Sequence, residues 1–215
     1  MLSTNFAQKC GILSPLIALI FIFAALASAP WFSWEKNCLS DLGGVEGEGV
    51  NWWARGTPSL LFNFGVALSG VLACAFAFWL RKSGLAEGKL WEAGTILFLA
   101  GALALVGIGV FPEPFGVLHS VASILFFVLV PVSMLLMGAA LARGKERRRK
   151  EGIFALALGL LASSPWIMIT GGLGGAGLRG SALPLGLAFG CAQLEGAAII
   201  PMLIFCAVFS FLNAS

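Results

Sequence analysis

The run Cys10–Trp34, CGILSPLIALIFIFAALASAPWFSW, contains no charged residue. At 1.5 Å per helical residue it is long enough to cross a hydrocarbon core of about 30 Å. A secretory signal is the competing reading, because Lys9 precedes the run and Ala27-Ser28-Ala29 resembles a cleavage site. Pro30 follows that tripeptide directly, a position signal peptidases tolerate poorly, so the run reads as a retained span, residues 11–30.

The same pattern recurs along the chain. Uncharged or nearly uncharged runs predict further spans at about 59–80, 91–111, 115–141, 152–170 and 183–212. Of the 215 residues 59% are hydrophobic and 11% charged, with mean hydropathy +0.97. A soluble domain carries about 25% charged residues. The expected fold class is therefore all-α, a six-transmembrane helical bundle forming one integral membrane domain over residues 1–215.

Ten of the 13 Lys and Arg lie at Lys9, in Arg81–Lys89 and in Arg143–Lys150. The other three, Lys36, Arg55 and Arg179, lie in the alternate connections. The positive-inside bias puts both termini in the cytoplasm of a cell-membrane protein, with a long first outer loop at 31–58. The dense tract Arg143–Lys150 is accounted for by anionic lipid at the cytoplasmic surface, so membrane lipids are the implied partners and nucleic acid is not. The cysteines match no metal or redox spacing, and Cys38, alone on the outer side, is given no internal disulfide partner by this topology. A single histidine cannot build a multi-histidine metal site, and no phosphate-binding glycine motif is present. No metal and no cofactor are expected.

Polar residues within or beside a membrane are costly and each needs a reason. The outer loop holds the only Asp, Asp41, next to Ser40. Asn63 and His119 each fall about one turn below the outer surface on different spans. A carboxylate beside an imidazole is a way to build an acid–base site, and Ser40 or Ser120 would supply a hydroxyl nucleophile. Asp41, His119 and Ser40 are thus the catalytic candidates. The plain structural alternative is that Asp41 caps a turn and His119 satisfies a backbone carbonyl. Asn63, Arg55, Glu113, Arg179 and Glu195 are the ligand-binding candidates. Interfacial snorkelling is the plainer reading of the two arginines, and a solvated loop acid that of Glu113. Glu195 is the deepest ionisable residue, with Ser163, Ser164 and Gln193 as candidate neighbours.

Three short motifs occur in order. Asn37-x-Leu39-Ser40-Asp41-Leu42-Gly43 follows the first span, Leu61-Phe62-Asn63-x-Gly65 opens the second, and Gly107-Ile108-Gly109-Val110-Phe111-Pro112-Glu113 precedes the span carrying His119. In that order the chain resembles the prokaryotic six-span membrane proteins grouped as domain-of-unknown-function family 998. Gln193-Leu194-Glu195-Gly196 in the sixth span fits only loosely. The resemblance implies a compact helical membrane protein with a polar outer pocket, and no established activity.

Three functions compete at this level. One is an outer-leaflet pocket, roofed by the loop folded onto the second and fourth spans, that binds or modifies a lipid-like ligand. Another is a transporter or proton-coupled protein using Glu195. The last is a non-catalytic membrane assembly or scaffold subunit. The sequence names no reaction.

Overall fold

Chain order governs the packing. Helix α1 (Thr4–Ala27) packs on α2 (Thr57–Lys82), α2 on α3 (Lys89–Val110), α3 on α4 (Val117–Ala142), α4 on α5 (Glu146–Gly172) and α5 on α6 (Cys191–Phe209). Helix α6 returns to α1 and closes the arrangement, with Gln8 Nε2 donating to Ser210 O at 2.7 Å. Two short 3₁₀ turns lie outside the helices, Leu39–Gly43 between α1 and α2 and Glu113–Phe115 between α3 and α4. The structure is a computed structural model that describes residues 4–45, 53, 55–172 and 191–212. Arg179, Trp52 and residues 183–190 of the expected sixth span lie outside the described residues, as does the side chain of Gln193.

Local chemistry sets the helix ends. Pro30 follows α1 closely. Gly56, at φ +68°, turns the chain into α2, Pro58 occupies its first turn, and Arg81 and Lys82 sit in its last turn against the exposed carbonyls. Pro112 and Pro114 stop α3 and leave the 3₁₀ turn, and Gly116, at φ +56°, releases the chain into α4 at Val117. Helix α5 starts well before the apolar run that begins near residue 152. Its charged first turns are laced by Arg148–Glu151 at 2.8 Å, Arg147–Glu151 at 3.4 Å and Lys150–Glu146 at 3.5 Å, pairs at helical spacing that support the helix in water.

Helices α1 to α4 are each long and apolar enough to cross a membrane, and α6 carries a shorter apolar stretch, Glu195–Phe209. Their outward faces carry Phe23, Leu103 and Ile124 at about three-fifths exposure, a surface for hydrocarbon rather than water. With lipid outside, burial of apolar area does not draw helices together, and small residues and interhelical hydrogen bonds do. Gly65 and Ser69 of α2 both face α1. Gly65 lies against Phe21, and Ser69 exchanges hydrogen bonds with Ser14, its hydroxyl donating to Ser14 O at 2.9 Å while the Ser14 hydroxyl reaches Ser69 O at 3.0 Å. Between α2 and α3 the backbones come close at Gly109, where a Cβ would lie 2.5 Å from Asn63 O.

Candidate functional site

The sequence Leu39-Ser40-Asp41-Leu42-Gly43 folds as a lid. In a 3₁₀ turn residues three apart share a side, so Leu39 and Leu42 point the same way, and both are buried. The turn packs against α2, α6 and the second 3₁₀ turn. Its N-terminal N–H groups have no cap from Cys38. Glu195 supplies one from α6. Its Oε2 accepts from Leu39 N at 2.6 Å, and the N–H and hydroxyl of Ser40 also bond to its carboxylate. At the other end Asn63 Nδ2, fully buried on α2, donates to Gly43 O at 3.0 Å. The lid is thus clamped by α6 at its donor end and by α2 at its acceptor end.

Asp41 is 4% exposed. Its Oδ2 accepts from Asn37 Nδ2 at 2.8 Å, while Oδ1 is buried with no hydrogen-bond partner among the described residues. Its charge lies close enough to Glu195 for the two carboxylates to interact. A buried carboxylate oxygen without a donor is costly and marks a place where a donor is wanted.

His119 belongs to a different network. Its Nδ1 meets Phe111 O at 2.9 Å, at the end of α3, and its Nε2 lies 3.3 Å from Ser123 Oγ. Neither hydrogen bond involves Asp41. Ser120 is exposed and its hydroxyl donates to Gly116 O at 3.2 Å. Glu113 is half-buried in the second 3₁₀ turn, beside the lid. Arg55 places its guanidinium 4.1 Å over the Trp31 ring, a cation–π contact at the surface, where the two border a shallow recess with Asn37.

Beneath the lid lies a cavity of about 100 Å³. Helices α1, α2, α3, α4 and α6 line it with mainly apolar side chains, and Leu39 and Ser40 roof it. Its walls run from Phe62 to Ala73 on α2 and from Glu195 to Cys206 on α6. Eleven residue steps at 1.5 Å each spread this lining over about 16 Å of helix. Its polar lining is Glu195, Ser40 and Ser123 together with Ser14 and Ser69. Of the sequence candidates, therefore, Ser40 and Glu195 meet at this cavity, Asn63 holds the lid over it, and Asp41 is buried within the lid. Ser123 lines the cavity as well, and its spacing of four from His119 on one helix is a signal visible in the sequence. Neither Ser163 nor Ser164 donates its hydroxyl to Glu195. Their hydroxyls donate to Gly159 O and Leu161 O of their own helix.

One expectation fails outright. Cys38 is disulfide-bonded, whereas chain order had given it no partner. Positions along the chain do not reveal which segments the lid folds against. Among the described residues no group of three or more His, Cys, Asp or Glu is arranged to hold a metal ion.

The apolar helices, their hydrocarbon-facing surface and the interhelical serine bonds define a multi-pass helical membrane protein. A family model described as protein of unknown function (DUF998) matches residues 12–210, and the chain belongs to that family. No curated protein and no solved structure matches it.

Proposed function

We propose that this protein is a six-span bundle that holds a single-chain, lipid-like amphiphile in the cavity under its lid. The observation carrying this reading is the Glu195 carboxylate set at the head of a long apolar cavity by the lid's own N–H groups. A cavity of about 100 Å³ is smaller than the engineered cavity of about 150 Å³ that takes benzene, so it leaves room for the leading segment of one hydrocarbon chain and none for a second. The polar end is acidic, with Glu195 and the buried Asp41 close by, which favours a head that donates hydrogen bonds, an alcohol or amine, over a phosphate or carboxylate. Arg55, already stacked on Trp31, serves as an interfacial anchor.

In this reading α5 and α6 are the fifth and sixth spans and the lid faces the outside of the cell membrane. The excess of basic residues at the opposite end supports that orientation. So does the disulfide at Cys38, since disulfides persist in oxidising compartments.

The test is photocrosslinking of the detergent-purified protein with a diazirine-bearing single-chain alkyl alcohol. Saturable crosslinking to cavity-lining peptides, competed by the unmodified alcohol, is the expected result. Ala102→Leu, which fills the cavity from α3, should reduce it at least several-fold. Crosslinking confined to the lipid-facing surface and unaffected by Ala102→Leu would overturn the proposal.

A further inference from the structure

We infer that Ser123 is a nucleophile, with His119 as its general base, acting on the acyl group of a monoacyl ester held in the cavity; this rests on the single-chain reading above. The argument starts from the tautomer. The Phe111 carbonyl can only accept, so the Nδ1 atom facing it at 2.9 Å carries the proton. Nε2 is then the lone-pair nitrogen, and the hydroxyl 3.3 Å away on Ser123 is its donor. That is the arrangement a serine nucleophile requires: a base within reach of Oγ, and a second contact that fixes the base's orientation. A backbone carbonyl takes the orienting role that a carboxylate fills elsewhere.

Placement supports the assignment. Ser123 lines the cavity, whereas Ser120 is bonded to Gly116 O and exposed, and Ser40 is committed to Glu195. His119 is 7% exposed, so its neutral form is protected from bulk water. An ester with hydroxyls in its head and one acyl chain would set the head toward Glu195 and the chain along the cavity, with its carbonyl between.

In the first step Ser123 Oγ bonds to the carbonyl carbon as its proton passes to His119 Nε2. The ester C–O bond then breaks, and the alcohol departs with that proton. Water next attacks the acyl-serine and gives a proton to His119. The C–Oγ bond breaks, Ser123 recovers its proton, and the fatty acid leaves. The sum is ester plus water to acid plus alcohol.

The experiment treats the detergent-purified protein with a fluorophosphonate carrying one long alkyl chain, and maps the adduct by peptide mass spectrometry. The expected adduct is on Ser123, absent in Ser123→Ala and formed at least tenfold more slowly in His119→Gln. Diazirine-alcohol crosslinking is measured in parallel on all three proteins and reports whether the cavity is intact. Crosslinking retained in the wild type with no adduct on Ser123 overturns the nucleophile and leaves the amphiphile reading standing. An adduct on Ser123 that forms equally fast in a His119→Gln variant still able to crosslink overturns the role of His119. Loss of both signals in the wild type overturns both readings.

Discussion

At the scale of single residues, the most consequential contacts tie the lid down. Asn63 is wholly enclosed and bonded to Gly43 O, so Asn63→Ala removes a buried hydrogen bond and leaves a carbonyl without its donor. The expected loss is about 1–3 kcal/mol, read as a lower midpoint in denaturant unfolding of the detergent-solubilised protein. Gly109→Ala acts from the other side of the same residue. The new methyl would meet the backbone of α2 at Asn63 and Ala67, and overpacking of this kind costs about 1–3 kcal/mol, visible as a reduced Tm. Asn63 was legible in the sequence as a polar residue one turn inside a span. Its partner was not, because Gly43 lies 20 residues away along the chain and offers only a backbone carbonyl.

At the scale of elements, the α1–α2 contact depends on a reciprocal serine pair. Ser14 and Ser69 hydroxyls lie 3.0 Å apart, and each also bonds the other's backbone carbonyl. Ser14→Ala and Ser69→Ala should each destabilise the bundle by about 0.6 kcal/mol, the mean for interhelical bonds in a membrane. The double variant should lose less than the sum, with a coupling of about 0.5 kcal/mol or more in a double-mutant cycle of unfolding free energies. Additive losses would mean the two hydroxyls act independently. The small-residue pair Gly65 and Ser69 was legible from its spacing of four, and so was the exclusion of a helix at the two prolines after α3. The helical start of α5 was not, since its ion pairs lie in a tract that hydropathy alone treats as loop.

At the scale of the whole molecule, orientation and closure each have a direct test. In whole cells, a cysteine placed at Glu35 beside the lid should react with an impermeant maleimide, and one at Lys145 should react only after permeabilisation. Measured in a background where the native free thiols are replaced, the reverse pattern would invert the topology drawn from the basic residues. Cys38→Ser should leave helix content unchanged by circular dichroism while loosening the lid, seen as faster hydrogen exchange at Leu39 and Ser40. The bundle is held by its helix contacts, whereas the lid is a turn of five residues.

The sequence by itself determined the class of this protein: long uncharged runs, short basic connections and proline stops leave a helical membrane bundle as the arrangement that satisfies every backbone group in lipid. It also marked Asp41, Asn63, His119 and Glu195 as residues needing a reason, since polar groups at that depth are costly without partners. Only the tertiary structure decided who those partners are. Glu195 turned out to cap the lid from 156 residues away, His119 paired with Phe111 and Ser123 rather than with Asp41, and Cys38 became half of a disulfide. The physical reason is the same in each case. Apolar periodicity fixes what one helix does, but hydrogen bonds between elements depend on which faces meet and at what height, and those follow from packing around a cavity that no single stretch of sequence contains.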